Sequence, residues 1–123
     1  MVKVLIVDDS MTQRQLMSSV LEQVGLTVLV ATDGIEAWEQ IQRVPLDIVV
    51  LDIIMPRMNG YEVCRKIKTD PNMQNLPVVI CSSKTEDFDR YWGMKQGADA
   101  YLVKPFQPKD LLSTIHKLLQ PQG

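Results

Sequence analysis

Three aspartates directly follow two of the apolar runs in this sequence. Asp8 and Asp9 come after the run Val4–Val7, and Asp52 comes after the run Ile48–Leu51. If both runs are strands of one parallel sheet, their carboxyl ends meet and the three carboxylates share one crevice. Carboxylates packed this closely repel one another unless a cation or a shared proton offsets their charge. Hard oxygen ligands suit Mg²⁺ or Ca²⁺, and so few protein ligands, with room for water, favour Mg²⁺.

A structural role is the alternative for these aspartates. Asp9, together with Ser10, suits the cap of a following helix, because short polar side chains accept hydrogen bonds from the first backbone N–H groups. This alternative is weaker for Asp52, which lies between Leu51 and Ile53 in an otherwise apolar run. Such a run is a poor place for a charge with a purely structural role.

Two further apolar runs are also followed by polar side chains. Ser82 and Ser83 come after Val78–Cys81, and Lys104 comes at the end of the fifth run. A hydroxyl can donate to a phosphoryl oxygen, and an ammonium can neutralise transferred negative charge. A divalent ion and Lys104 would make the crevice attractive to phosphate, which leaves one aspartate as a nucleophile that forms an acyl phosphate. Asp52 is the predicted nucleophile because it stands alone on its strand.

The elements that position these side chains are predicted from five short apolar runs. The runs are rich in β-branched residues and do not alternate with polar ones, which is typical of parallel strands covered on both faces. They are Val4–Val7, Val28–Ala31, Ile48–Leu51, Val78–Cys81 and Ala100–Val103. With helical spacers between them, they predict a doubly wound α/β fold with right-handed crossovers. Five strands are too few for a closed barrel, and their common open order is 2-1-3-4-5, as in flavodoxin-like sheets.

The spacers between the runs have helical periodicity. The first places Leu16, Met17, Val20, Leu21 and Val24 on one predicted buried face, with Ser10 or Thr12 as the N-cap and Gly25 at the C-terminal cap. The other helices are predicted over 34–43, from Tyr61 to about Thr69, from near Thr85, and from Pro108. On the fourth helix Phe88 stacks with Trp92, and Trp92 is predicted to pack in the core.

Composition limits the class of protein. The 123 residues predict one domain, and 13 Lys and Arg against 15 Asp and Glu argue against a nucleic-acid partner. The apolar stretch at the N-terminus is too short for a secretory signal, and no run approaches the roughly 20 residues of a membrane span, so a cytoplasmic protein is expected. Cys64 and Cys81 lie in apolar stretches without metal-site spacing, and both are predicted to be buried free thiols.

Four motifs at the predicted strand ends together indicate a known family. They are Val7-Asp8-Asp9-Ser10, Leu51-Asp52-Ile53-Ile54-Met55-Pro56 with Asn59-Gly60, Pro77 through Ser83, and Tyr101-Leu102-Val103-Lys104-Pro105-Phe106. In this order the chain resembles the receiver domains of two-component signalling, of the CheY-like single-domain type. The resemblance covers residues 1–123, so no output domain is expected. The family shares the strand order 2-1-3-4-5, which is therefore not an independent prediction.

The resemblance implies a role for each residue at the crevice. Asp52 matches the phosphoacceptor, while Asp8, Asp9 and the backbone carbonyl of Ile54 match the ligands of Mg²⁺ or Mn²⁺. Lys104 matches the lysine of the family, and the Lys104–Pro105 bond is expected to be cis. Ser82 and Tyr101 match the switch pair, in which a hydroxyl moves toward the phosphoryl group and an aromatic ring follows it.

The resemblance also implies the partners. The phosphodonor is a phosphohistidine on a sensor kinase, and the receiver itself catalyses the transfer. The output is docking of a protein on the face formed by the fourth helix, fifth strand and fifth helix, which includes Tyr91, Lys95, Tyr101, Phe106 and Lys117. His116 is expected to be a surface residue rather than a relay site. The stretch from Trp92 to Ala98 resembles regulators of type IV pilus twitching or phototaxis systems, and dimerisation on activation is left open.

Two positions are predicted to tune the lifetime of the phosphoryl group. Ile54 and Lys84, each two residues after a site residue, match places that flank the path of the hydrolytic water. Bulky Ile54 is expected to shield the acyl phosphate, and Lys84 cannot orient water as a carboxylate or amide would. A long-lived phosphorylated state is therefore expected.

Three rival functions make different demands on the sequence. A haloacid-dehalogenase-type phosphatase would have its two aspartates two positions apart, whereas Asp8 and Asp9 are adjacent. A flavodoxin-like electron carrier would use hydroxyl and amide donors around the flavin phosphate, not neighbouring carboxylates. A pseudo-receiver that never takes phosphate would not need the complete acidic and lysine set.

Overall fold

The protein alternates five strands with five helices in a computed structural model that describes residues 2–83 and 87–120. The elements are β1 Lys3–Val7, α1 Met11–Gln23, β2 Thr27–Ala31, α2 Gly34–Arg43, β3 Ile48–Asp52, α3 Gly60–Thr69, β4 Val78–Ser82, α4 Asp87–Lys95, β5 Ala100–Val103 and α5 Pro108–Leu119. Each predicted apolar run lies within one strand. Among the described residues, no helix is long and apolar enough to cross a bilayer.

The five strands form one parallel sheet in the order β2-β1-β3-β4-β5. Val7 pairs with Leu51, so β1 and β3 end side by side at the centre of the sheet. The doubly wound α/β fold predicted from the sequence is confirmed. Because the chain leaves β1 and β3 toward opposite faces, the crevice between their carboxyl ends is the switch point of the sheet.

The strands are apolar on both sides because helices cover both faces of the sheet. Leu5, Val7, Val49 and Leu51 belong to the core on the side of α2 and α3. The residues that alternate with them along β1 and β3 belong to the second core on the side of α1 and α5, namely Val4, Ile6, Ile48 and Val50. All eight side chains are buried. Burial of each contributes about 1.5–3 kcal/mol, which makes this sheet a firm base for its carboxyl edge.

Short polar side chains begin the helices nearest the switch point. The Ser10 hydroxyl accepts a hydrogen bond from the Gln13 N–H at 3.3 Å, which makes Ser10, not Thr12 or Asp9, the N-cap of α1. Asp33 and Asn59 cap α2 and α3 in the same way. Asp9 therefore does not serve as the helix cap that was the structural alternative for it.

The buried stripe of α1 is narrower than predicted. Met17 and Leu21 are buried, but Leu16 is 60% exposed and Val24 is also exposed. The inference that all five apolar positions face the core was therefore wrong. The helix packs against β1, β2 and α5 along one line, and Leu16, about 100° round the helix from Met17, points away from that line. Gly25 has φ +88°, as the predicted C-terminal cap requires.

The prediction that Trp92 packs in the core was also wrong, since Trp92 is 42% exposed. Gly93 occupies the inner position of α4, where a Cβ would lie 3.1 Å from the Tyr101 ring. This close approach turns the neighbouring Trp92 outward. The stacking predicted for Phe88, and the helix start near Thr85, lie outside the described residues and side chains.

Both cysteines are buried and free, as predicted. Burial raises the pKa of Cys64 to about 11 and that of Cys81 to about 12. Both thiols are therefore protonated at neutral pH, which suits their role as small apolar side chains.

Candidate functional site

The fold brings Asp8, Asp9 and Asp52 together at the switch point. Each contributes a carboxylate oxygen to a group in which all the oxygens lie within 4.8 Å of one another. Asp8 is buried, Asp52 is half-buried and Asp9 is exposed. The three carboxylates therefore lie together, as predicted, and they differ in how far each is exposed to solvent.

Hydrogen bonds to both side-chain oxygens fix Asp8 in place. Its Oδ1 accepts the Ser10 backbone N–H at 2.9 Å, and its Oδ2 accepts from Lys104 Nζ at 2.7 Å. The Arg14 guanidinium also donates to the Asp8 backbone carbonyl at 2.8 Å. Sequence reasoning missed Arg14, although a cation one turn into the helix after an acidic pair could have indicated it. Two cations therefore contact a carboxylate residue that is almost fully buried.

Lys104 directly follows the edge strand β5, and its side chain contacts two of the carboxylates. Its Nζ lies 2.7 Å from Asp8 Oδ2 and 3.7 Å from Asp52 Oδ1, and its side chain is only 17% exposed. Burial alone would lower the pKa of Lys104, but the hydrogen bond with Asp8 and the charges of Asp52 and Asp8 outweigh it, so the pKa is raised. Lys104 therefore remains a cation in the crevice. The Lys104–Pro105 peptide bond is cis, as expected.

Asp52 is held with one oxygen engaged by the backbone. Its Oδ1 accepts the Ile53 N–H at 2.9 Å, while its second oxygen, Oδ2, makes no hydrogen bond to the described residues. Burial raises the pKa of Asp52; Lys104 opposes this shift, and the charges of Asp8 and Asp9 add to it. The net effect is a carboxylate that is destabilised by its surroundings, which a bound cation would relieve.

Ser82 and Tyr101 lie beside the crevice on β4 and β5. Ser82 is buried at the carboxyl end of β4, and its carbonyl accepts the Lys104 backbone N–H at 2.7 Å. The Tyr101 ring is 7% exposed, and a side-chain hydrogen bond joins its phenol to Ser82. Burial raises the pKa of Tyr101 more than this hydrogen bond lowers it. The two residues expected to act as a switch are thus in contact, with the ring turned inward.

Of the two positions expected to tune the phosphoryl lifetime, only Ile54 lies within the described residues. The Ile54 side chain is exposed, on the segment between β3 and α3, two residues from Asp52. Lys84 lies outside the described residues. That Ile54 shields the acyl phosphate stays a prediction.

The residues present fit a hard divalent cation. The cluster offers carboxylate oxygens from a buried, a half-buried and an exposed aspartate. Burial raises the pKa of Asp52, and the charges of Asp8 and Asp9 add to this shift. Oxygen donors alone suit Mg²⁺ or Mn²⁺, whereas softer metals prefer sulfur or imidazole ligands. The exposed position of Asp9 leaves the site open to water on one side.

Most residues of the expected docking face are exposed. Tyr91 and Lys95 are exposed on α4, and the Lys95 ammonium lies 5.9 Å from the centre of the Tyr91 ring. Lys117 is exposed and Phe106 is partly buried, whereas Tyr101 is buried. His116 is exposed on α5, 2.9 Å from the Gln120 amide, as expected of a surface residue.

The chain belongs to the response regulator receiver domain family, whose model matches residues 4–116. The sheet order and the acidic crevice agree with this family, so the protein is a response regulator receiver domain. Membership of this family is also the finding against the phosphatase and electron-carrier alternatives.

Individual relatives place the chain more closely. It is similar to protein PilG of Pseudomonas aeruginosa, 40% identical over 92% of this chain and 84% of the relative. Protein PilH of the same organism is 37% identical over 97% of this chain and 98% of the relative. The chemotaxis protein CheY4 of Vibrio cholerae has a similar structure, with a TM-score of 0.91 at 35% identity over 97% of this chain and 99% of that one. The expected likeness to pilus-type regulators is confirmed by PilG and PilH.

Other relatives are longer than this chain. A probable transcriptional regulator ycf27 from Guillardia theta is 39% identical over 96% of this chain, which spans 45% of that relative. The same receiver domain is thus part of proteins of different total length.

Proposed function

We propose that the protein accepts a phosphoryl group on Asp52 from a phosphohistidine of a sensor kinase and signals by phosphorylation-dependent docking. The observation that carries the proposal is the placement of Asp52 among Asp8, Asp9 and Lys104. Three carboxylates and one lysine lie at one sheet edge. Their net charge repels an anion, and a divalent cation is needed before the site can bind a phosphoryl group.

Asp8, Asp9, Asp52 and the backbone carbonyl of Ile54 would hold Mg²⁺ or Mn²⁺. The ion supplies positive charge that draws the phosphoryl oxygens toward the carboxylates and stabilises the charge of the transition state. Lys104 contributes a second positive charge from the protein itself. Since Lys104 already contacts Asp8 and Asp52, its ammonium needs little movement to meet a phosphoryl oxygen.

The transfer forms one bond and breaks another. Asp52 Oδ2 attacks the phosphorus atom while its partner oxygen stays hydrogen-bonded to Ile53. The P–N bond to the kinase histidine breaks and its electron pair stays on the ring nitrogen. Because the other ring nitrogen carries a proton, the histidine leaves as a neutral imidazole. The product is an acyl phosphate on Asp52, and the domain acts as a phosphoacceptor that promotes its own phosphorylation and hydrolysis.

Ser82 and Tyr101 carry the state of the site to the docking face. A phosphoryl oxygen on Asp52 would accept a hydrogen bond from the Ser82 hydroxyl, which now contacts the Tyr101 phenol. Any movement of Ser82 therefore changes the surroundings of Tyr101, against which α4 packs through Gly93. The exposed side chains of α4 are then displaced together with the helix.

The kinase would approach along an apolar groove beside Lys104. This groove has a volume of about 540 Å³ and is lined by residues of α1, of α5 and of the segment between β5 and α5, among them Leu16, Met17, Phe106 and Leu111. The groove gives the exposed Leu16 a role that core packing does not.

The proposal also includes the pathway and the lifetime of the signal. The protein would control motility or taxis from a cytoplasmic location. Ile54 and Lys84 would give the phosphoryl group a long lifetime.

The test is phosphorylation by a small-molecule phosphodonor with Mg²⁺, followed by intact mass. The wild type is expected to gain one phosphoryl group, and Asp52→Asn to gain none. Asp47→Asn, one residue before the amino end of β3, is the matched control and is expected to behave as the wild type. Absence of the adduct in the wild type, as for a pseudo-receiver, or its persistence in Asp52→Asn, would refute the proposal.

A further inference from the structure

The segment 53–59, between β3 and α3, contains a strained turn. Arg57 has φ +69°, and it is the one non-glycine residue with a positive φ in the described part of the chain. The Met58 N–H donates to the Pro56 carbonyl at 2.8 Å, which closes a three-residue turn around Arg57. A γ-turn with positive φ at its centre is rare and strained, so the surroundings must hold it in place.

The Arg57 side chain reaches across to the start of α2. Its Nε and Nη2 donate to Asp33 Oδ2 at 3.1 and 2.8 Å, and Nη2 also lies 3.0 Å from Oδ1. This forked geometry is specific to arginine, because lysine offers only a single point of charge. Asp33 is itself fixed, since its Oδ1 accepts the Glu36 N–H at 2.9 Å as the cap of α2.

At two glycines the backbone of the segment 53–59 comes very close to neighbouring backbone. A Cβ on Gly34 would lie 2.1 Å from the Met58 carbonyl oxygen, and a Cβ on Gly60 would lie 2.3 Å from the Asp52 carbonyl oxygen. The Gly60 N–H also donates to the Ile53 carbonyl at 3.0 Å. The segment that carries Ile54 is thus fixed by backbone contact at both ends, and Arg57 ties its middle to α2.

An exposed ion pair taken alone would be expected to contribute little. The Arg57 side chain is 58% exposed, and isolated surface pairs contribute little or nothing measurable to stability. This pair differs because it has forked geometry, joins a fixed acceptor, and arises from a backbone conformation that arginine rarely adopts. These features indicate a role in positioning rather than in stability.

We propose that Arg57 is a positioning residue whose ion pair with Asp33 holds the backbone carbonyl of Ile54 where it completes the cation site of Asp8, Asp9 and Asp52. The inference rests on the proposed function, since that carbonyl is a ligand only if the site binds a divalent cation. Asp33 and Arg57 touch neither the cation nor the phosphoryl group and act through the segment 53–59.

The test measures Mg²⁺ affinity of the full chain by calorimetry, together with amide hydrogen exchange without metal. Arg57→Gly removes the ion pair but accepts the positive φ without strain, so the variant is expected to fold. We expect it to bind Mg²⁺ about tenfold more weakly, as for other residues that orient a ligand. The Met58 and Gly60 amides are expected to exchange faster. Arg57→Lys, which keeps the charge without the fork, is expected to restore part of the affinity.

Lys68→Gln is the matched control for loss of an ion pair. Lys68 Nζ lies 2.8 Å from Asp99 Oδ2 at the opposite edge of the sheet, so this change is expected to lower stability and leave Mg²⁺ affinity unchanged. Equal weakening of Mg²⁺ binding by Lys68→Gln would overturn the positioning role, and so would unchanged affinity in Arg57→Gly. If the wild type itself binds no Mg²⁺, the proposed function fails and the inference fails with it.

Discussion

At the scale of single residues, the site is a balance of charges that the sheet edge forces together. Asp8 is nearly fully buried, yet it keeps a full set of partners in Ser10, Lys104 and Arg14. Asp52 has one backbone donor and two acidic neighbours, and its second oxygen makes no hydrogen bond to the described residues. This second oxygen is the one proposed to react.

The Lys104–Asp8 pair should show the strongest coupling among the site residues. Lys104→Met is expected to destabilise the protein by about 3 kcal/mol, because it leaves the buried Asp8 carboxylate without its ammonium partner. Asp8→Asn combined with Lys104→Met should cost less than the sum of the two single changes. Urea unfolding of the four proteins at neutral pH measures this coupling. Strict additivity of the two substitutions would contradict a direct pair.

At the scale of elements, the β3–α3 segment is positioned by helix α2 rather than by its own sequence alone. Gly34 begins α2 at the point where the Met58 backbone passes, and the cap residue Asp33 holds Arg57. The start of α2 therefore contacts the segment that follows the proposed phosphoacceptor. The fold makes α2 part of the site although none of its residues lies in the acidic crevice.

Gly34→Ala tests this contact. The added methyl would overlap the Met58 carbonyl oxygen, which is backbone and cannot simply turn aside, so we expect a loss of about 2–3 kcal/mol in unfolding free energy. Gly25→Ala is the matched control, because its Cβ meets nothing within 4 Å and its strain comes only from φ +88°. That change is expected to cost about 1 kcal/mol. Denaturant unfolding compares the two, and an equal or smaller loss in Gly34→Ala would contradict the close contact.

At the scale of the whole molecule, the stability of the domain and the occupancy of the crevice are linked. The net charge of −2 is small, but three carboxylates meet at one point. Burial raises the pKa of Asp52, and the charges of Asp8 and Asp9 add to this shift. Folding therefore works against this cluster in the absence of a cation. Whatever binds there stabilises the whole fold by mass action.

Asp52→Asn should consequently stabilise the metal-free domain, by on the order of 1 kcal/mol at neutral pH. The pKa of Asp52 is raised above its ordinary value of 3.8 by folding, so the gain is absent below that value, where the carboxyl is protonated in both states. The gain in unfolding free energy grows between pH 3.8 and the folded pKa of Asp52, and at higher pH it stays constant. Thermal unfolding between acid and neutral pH, in the variant and the wild type, measures this dependence.

Mg²⁺ should reverse the order of these two proteins. At a concentration a hundred times its Kd, the ion is expected to stabilise the wild type by about 2.7 kcal/mol, and to stabilise Asp52→Asn by less. Asp47→Asn serves as the control that keeps the cluster intact. Equal stabilisation of the wild type and Asp52→Asn by Mg²⁺ would contradict a role for Asp52 in the cation site.

The sequence alone determined the α/β class, the five strands and the three aspartates at one sheet edge. It could do so because a buried parallel sheet requires apolar strands and places their carboxyl ends together. The outward turn of Leu16 and Trp92 was decided by tertiary packing, since helical periodicity does not reveal which neighbours a helix has. The contact of Arg57 with Asp33 joins residues on different elements, 24 positions apart in the chain. Only the folded chain brings such residues within hydrogen-bonding distance, which is why no spacing in the sequence predicted them.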